Sequence, residues 1–482
     1  MRWRLILHVV GLLTLFFGLT MAAPLAIDLY FKDGSGLAVL MSLAITILFG
    51  SFMTLAFRGS QIADIRQREG MAIVFFGWTA MGLFGALPFF LAGEGISFTD
   101  AFFESVSGFT TTGASIFTNI ERHTKGVLFW RSFIQWLGGM GIIVLSLAVL
   151  TFLKVGGMQL YKAEVPTPVP DKLKPRIQET AVTLWKVYVL FTFLQILLLL
   201  AGGMNLYEAV CHTLTTMPTG GFSTKNASIA HYNSAYFDTV FILFMLMAGI
   251  NFSLHYQMLK GKPLAIWRDA EGRFFLFFSL LLVLLVSWNI YGNVYQNMGD
   301  AIRYGAFQVV SILTTTGFAT ADYESWPAMS QIILFLCMFI GASAGSTGGG
   351  VKCLRIMLLF KYCTRELFQL IHPRSIMHIK INGKPVPEEI IRSVIGFLAL
   401  YVGLFAICTV ILSGLGVDFV TSLGAVASCI GNIGPGFGMV GPAENYAAIP
   451  AMGKWLLIWC MLLGRLEIYT VIILLAPEFW RK

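Results

Sequence analysis

Four times along this chain a short apolar run ends in a small glycine-centred turn, and each time the run lies between hydrophobic segments long enough to cross a bilayer. The turns are Thr110-Thr111-Thr112-Gly113, Pro218-Thr219-Gly220-Gly221, Thr314-Thr315-Thr316-Gly317 and Gly431-Asn432-Ile433-Gly434. Because Gly221-Phe222-Ser223-Thr224 parallels Gly317-Phe318-Ala319-Thr320, Gly221 rather than Gly220 aligns with the other turn glycines. The aligned glycines are then 108, 96 and 117 residues apart, a period of one complete unit. One Thr-Gly turn carries little information, but four at the same place in a repeated unit restrict the fold severely. Non-helical backbone at membrane depth survives only where protein or a water-filled path satisfies it. Four turns meeting on one axis would offer a ring of carbonyl oxygens to a partly dehydrated cation.

Composition supports the membrane setting: 57% of the 482 residues are hydrophobic, 12% are charged, and the mean hydropathy is +0.76. Ten candidate spans run roughly 5–30, 36–57, 71–92, 127–153, 181–203, 235–259, 273–291, 328–361, 390–413 and 452–476. The weaker apolar segments 99–112, 206–218, 300–315 and 418–431 are too short to cross and would otherwise read as amphipathic surface helices. The expected fold is an all-α polytopic membrane protein. An extra N-terminal two-helix hairpin (1–68) precedes four pseudo-fourfold helix–re-entrant pore helix–helix repeats around one ion pore: 69–160, 161–262, 263–384 (with a broken second helix) and 385–482. Met1-Arg2-Trp3-Arg4 and the apolar run to Ala23 imitate a secretory signal, but the run is long and a second follows at once, so it reads as a retained span.

Charge placement gives the orientation. With a cytoplasmic N-terminus, only Lys32, Arg122, Lys125, Arg131, Lys225, Arg303 and Lys454 of the 33 Lys and Arg fall outside, and Arg465 falls within a span. The positive-inside rule then puts both termini and the polar connections 154–180 and 361–389 in the cytoplasm. Acidic residues outnumber basic ones on the outer side, a field that concentrates cations at the entrance. The formal charge of +8 therefore reflects topology, and no basic face points to nucleic acid. The seven cysteines, from Cys211 to Cys460, are scattered in apolar sequence without C-x-x-C pairs and read as small buried hydrophobes.

The eighth span is longer than a crossing requires, and Gly341, Gly345, Gly348, Gly349 and Gly350 interrupt its middle among Ser346, Thr347 and other small residues. Each glycine disfavours helix by about 1 kcal/mol relative to alanine, so the segment is predicted to break mid-membrane and form a gate below the turns. A close-packing face of small residues is the plainer alternative. Arg465, near the centre of the last span, needs compensation, and Glu467, two residues on, does not share its helical face. Gly341-Ala342-Ser343-Ala344-Gly345 also satisfies the G-x-S-x-G hydrolase pattern, but no His pairs with it persuasively; His212 lies in a short apolar segment and the others map near membrane surfaces. The chain reads as no enzyme. A carrier of a small organic solute would also use broken helices, though its site would be a cavity of side chains.

The four turns, the run Gly341–Gly350 and Met461-Leu462-Leu463-Gly464-Arg465-Leu466-Glu467-Ile468-Tyr469-Thr470 together resemble the bacterial Trk/Ktr potassium-uptake superfamily, with the N-terminal hairpin pointing to its TrkH branch. The resemblance implies a potassium-translocating subunit, found as a homodimer in the bacterial inner membrane and gated by a cytoplasmic nucleotide-binding ring of TrkA type. It implies a potassium filter at Thr111, Thr112, Gly113, Thr219, Gly220, Gly221, Thr315, Thr316, Gly317, Asn432, Ile433 and Gly434, with rubidium able to substitute. Arg465 would project beneath the filter as a positive barrier, with Lys352 contributing, and no cofactor is implied. Each turn has one main glycine, so few carbonyl layers are available and modest selectivity follows. Asn432 and Ile433 stand where the other turns have hydroxyls, which is tolerable if backbone oxygens hold the ion. Related plant sodium carriers have a serine at the first-turn glycine, so Gly113 favours potassium by analogy. The sequence holds no phosphate loop or dinucleotide fingerprint, so nucleotide control would come from a partner docking on 154–180 and 361–389.

Overall fold

The computed structural model describes residues 1–58, 65–93, 95–141, 177–375 and 377–481. The inner end of the fourth candidate span, the division at residue 160 and most of the 154–180 connection lie outside the described residues. The chain is mostly helical. Helices α1 (Trp3–Thr20), α2 (Ala22–Phe31) and α3 (Gly36–Ala56) form the N-terminal hairpin. Gly11 and Gly50 let α1 and α3 touch: a Cβ on Gly50 would fall 2.5 Å from the Leu15 nitrogen. Asp28 closes the hairpin by accepting from the Ser35 amide and hydroxyl, both at 2.7 Å.

Four sets of helix, short helix, turn and helix follow. The first is α4 (Gln67–Gly85) with α5 (Leu87–Leu91), then α6 (Phe98–Phe109) and α7 (Lys125–Trp136). The second is α8 (Ile177–Ala201), α9 (Leu206–Thr216), α10 (Ala235–Gly249) and α11 (Phe252–Leu259). The third is α12 (Ala270–Ile290), α13 (Met298–Leu313), α14 (Ala328–Ile340) and α15 (Cys353–Ile371). The last is α16 (Glu388–Gly414), α17 (Phe419–Gly431), α18 (Ala451–Arg465) and α19 (Ile468–Ile472). Each short helix starts on a capping side chain. Ser97, Asn205, Asn297 and Asp418 accept from the amides of Asp100, Glu208, Gly299 and Thr421. At about 1.5 Å per residue none could cross a bilayer, and their inner turns are wholly buried, which rules out surface helices.

Among the described residues six helices are long and apolar enough to cross a membrane, rising to eight if two bent pairs count as spans. Those pairs correct the sequence expectation. The segments 235–259 and 452–476 are not continuous helices but bend by 102° at Gly249–Asn251 and by 119° at Leu466–Glu467. The predicted break in the eighth segment is also present, between α14 and α15. In the first set the helical turn Leu137–Gly141 that continues α7 kinks at Gly139. All four second helices are thus interrupted at comparable places, and packing explains why. A Cβ on Gly138 would fall 2.0 Å from the Phe109 oxygen, and one on Gly464 would fall 2.2 Å from the Ile430 oxygen, so the first and fourth sets turn aside under their own short helices, whereas one on Gly249 of the second set would meet Thr314 Cγ2 of the third at 3.0 Å. Apolar residues on α3, α12 and α16, among them Leu48, Phe52, Leu281 and Val410, are exposed outward, as a lipid-facing belt requires. In the 361–389 connection a small hairpin pairs Lys380 with Pro385 and Ile381 with Lys384, and Asn382 at its tip binds Asp269 at 2.7 Å. Of the cysteines, Cys363 is exposed and the other six are buried.

Candidate ion-conduction site at the four turns

The short helices α6, α9, α13 and α17 end alike. Thr111, Thr219, Thr315 and Asn432 adopt left-handed φ of 53°, 56°, 60° and 54°. The next amide in each turn bonds back five residues: Thr112 to the Ser107 oxygen, Gly220 to Thr215, Thr316 to Ser311 and Ile433 to Ser428, at 2.8 to 3.0 Å. This is the Schellman end of a helix, usually made with glycine. A β-branched residue there is strained, and strain of that kind persists only when the surroundings over-determine it. Asn432 occupies the fourth such position because asparagine tolerates the left-handed region better than threonine.

Two residues after each left-handed position, Gly113, Gly221, Gly317 and Gly434 also take positive φ, between 73° and 106°. A Cβ on Gly113 would fall 2.2 Å from the Gly220 oxygen, one on Gly221 1.9 Å from Thr316 O, one on Gly317 2.0 Å from Ile433 O, and one on Gly434 2.8 Å from Thr112 O. First leans on second, second on third, third on fourth and fourth on first. The four turns therefore close a ring, and no side chain fits between neighbours. Among the described residues no donor reaches the carbonyl oxygens of Thr111, Thr112, Gly113, Thr219, Gly221, Thr315, Thr316, Gly317, Asn432 or Ile433. The hydroxyls have other partners. Thr112 and Thr316 bond Thr110 and Thr314 at 2.7 and 2.8 Å, and Asn432 donates to Thr112 Oγ1 at 2.9 Å and to Met461 O at 3.0 Å.

The residues between α14 and α15 lie against the underside of this ring. Gly349 N–H donates to Thr315 Oγ1 at 2.7 Å, and Thr347 Oγ1 donates to Met217 O at 3.0 Å. A Cβ on Gly348 would meet Thr314 O at 2.9 Å and one on Gly349 would meet Gly431 O at 2.3 Å, so the loop backbone approaches the third and fourth turns closely. Gly341, Gly345 and Gly350 have positive φ, and the Ser346 hydroxyl folds back onto Ser343 O at 2.5 Å. Lys352 is buried and its ammonium donates to Gly348 O. Arg465, at the end of α18, donates to Thr347 O at 2.9 Å, Gly138 O at 2.6 Å and Gly139 O at 2.9 Å. It ties the loop to the kink of α7, while Glu467 pairs with Arg355 at 2.6 Å. The two charges therefore have separate partners, as their spacing requires. Ser343 Oγ is buried and no base among the described residues reaches it, so the G-x-S-x-G run shows no activated nucleophile there.

A family model described as TrkH, cation transport protein, matches residues 35–482. The chain belongs to the TrkH family. The Trk system potassium uptake protein TrkH of Salmonella typhimurium (strain LT2) is 42% identical to it, and so is that of Escherichia coli K12, each match covering 100% of both chains. The TrkG protein of Escherichia coli K12 is 36% identical over 99% of each chain. The crystal structure of the potassium transporter TrkH from Vibrio parahaemolyticus superposes with a TM-score of 0.90 at 38% identity, covering 100% of both chains. The TrkH family is one of ion transporters rather than enzymes.

In this TrkH-family chain several groups that sequence reasoning missed hold the ring. Glu104 of α6 and Arg131 of α7 form a buried ion pair at 2.5 Å. Glu104 also accepts from the Ile116 amide and Ser115 hydroxyl beyond the first turn, and Arg131 donates to Ser223 O beyond the second. His212 sits nine residues before Gly221, as Glu104 does before Gly113, and its Nε2 lies 3.0 Å from Ser223 Oγ. Tyr446 and Ser428 donate to Gly434 O at 2.7 and 2.6 Å. An acid and a base in an otherwise apolar setting were the available signal, but their partners lie on other elements.

Proposed function

We propose that this chain carries potassium ions into the bacterial cell across the inner membrane, through a pore on the axis of the four turns. The observation that carries this reading is the closed order of contacts among Gly113, Gly221, Gly317 and Gly434, which surrounds one axis with turn carbonyls, most of which no donor among the described residues reaches. The C-terminal ends of α6, α9, α13 and α17 all finish at that ring, and their dipoles place partial negative charge where a cation dehydrates. Carbonyl oxygens, rather than threonine hydroxyls, coordinate the ion, and rubidium substitutes for potassium. The names of the full-length relatives, potassium uptake proteins, supply the ion's identity.

Residues 341–350 act as the gate, with Lys352 and Arg465 adding positive charge that slows cations. Opening requires the loop to leave Thr315 and Met217 and Arg465 to release its three carbonyls. Both termini are cytoplasmic, the protein is a homodimer, and a nucleotide-binding ring of TrkA type docks on the basic connections 154–180 and 361–389. Conduction is channel-like rather than coupled to protons. Reversal potentials of the purified protein in liposomes under opposed potassium, sodium and proton gradients test this. They should follow the potassium gradient and ignore the proton gradient; tracking of the proton gradient would establish symport instead.

A further inference from the structure

The second turn carries a glycine that the others lack. Gly220 stands where the other turns have Thr112, Thr316 and Ile433, yet Gly220 is not among the residues with positive φ. Backbone conformation therefore does not require glycine there. The neighbour does. A Cβ on Gly220 would lie 2.4 Å from Cδ, 2.5 Å from Oε1 and 2.8 Å from Nε2 of Gln135, which projects from α7 of the first set and is completely buried. The glycine makes room for a foreign amide.

That amide grips the turn on both sides of Gly221. Nε2 donates to Gly220 O at 2.6 Å, and Oε1 accepts from the Phe222 amide at 3.1 Å, so the side chain pairs with the turn backbone as a neighbouring strand would. Two consequences follow. The radius of the second turn is fixed from outside its own set. In addition, Gly220 O shares its electron density with a donor, whereas among the described residues the equivalent oxygens of Thr112, Thr316 and Ile433 have none. Gly113 leans on this same oxygen, so the clamp also sets the contact between first and second turns.

We propose that Gln135 is a specificity-determining positioning residue: it holds Gly220 and Phe222 so that the ring presents three full-strength carbonyls and one weakened one to the ion. The proposal rests on the carbonyl-ring reading above. Its test is the potassium-to-sodium permeability ratio of the full-length protein in liposomes, measured for Gln135→Leu, Gln135→Glu and Gly220→Ala. Leucine removes both bonds, glutamate keeps only the acceptor, and the alanine Cβ displaces the amide from the other side. Each should lower the ratio by roughly three- to tenfold, the value of one or two hydrogen bonds. Gly220→Ala added to Gln135→Leu should lower it little further, because both break the same contact.

Ratios at the wild-type value, or fully additive effects in the double variant, would overturn the proposal while leaving the pore reading intact. A wild-type protein without potassium preference would instead sink the carbonyl ring itself. Gln135→Glu and Gly220→Ala decide the matter if Gln135→Leu does not fold. Should all three lose folded protein, Gln135 is a packing residue and the proposal falls.

Discussion

At the residue scale, position decides what each glycine does. Gly113 combines a φ of +82° with a neighbouring carbonyl where a Cβ would sit, so any side chain must both strain the backbone and push Gly220 outward. Gly113→Ser should therefore keep ion flux but weaken the preference for potassium over sodium, read in a two-ion flux assay; an unchanged ion ratio would count against the filter assignment. The turn glycines were legible in the sequence because their signal is local and repeated. The register of the second turn has its physical basis in Gly221, which carries the positive φ, and Gly220, which makes room for Gln135. Only a contact with another set explains the second glycine, and no local pattern announces it. Glu104 belongs to the same class. Truncating it leaves Arg131 buried without its counter-charge, at a cost of about 3–5 kcal/mol. Thermal unfolding in detergent should show a clearly lower Tm for Glu104→Ala, with Glu104→Leu and Arg131→Met together recovering much of the loss.

At the element scale, the loop between α14 and α15 was readable because five glycines cannot sustain a helix. The interruptions of the other second helices were not, since α10 and α18, taken with the helices that follow them, are apolar enough to read as spans and their bends come from tertiary packing. Gly464 tucks under α17, and Gly249 would place a Cβ 3.0 Å from Thr314 Cγ2 of the third turn. The loop is held mainly by hydrogen bonds to backbone carbonyls, and Glu271 at the start of α12 adds a clamp by accepting from Ala344 and Leu354 amides at 2.6 and 3.1 Å. Bonds of that kind are each worth about 1 kcal/mol net, which suits the proposed gate. Deleting 345–350 should give a constitutively leaky pore, and Arg465→Ala should raise flux in the same assay. Correctly inserted but silent protein from the deletion would remove the gate.

At the scale of the whole molecule, the proposed pore is built by one chain through internal repetition, where other channels use a ring of subunits. Because the sets differ, the ring is held unequally: an ion pair and an amide brace the first two turns, a threonine-to-loop bond the third, and Tyr446 the fourth. The most direct test of the account is a diffraction experiment on crystals grown with rubidium, collected at its absorption edge. The account predicts an anomalous peak on the axis enclosed by Thr112, Gly220, Thr316 and Ile433, within coordination distance of their carbonyl oxygens. A protein that transports rubidium but shows no peak there, or shows it elsewhere, would contradict the carbonyl ring.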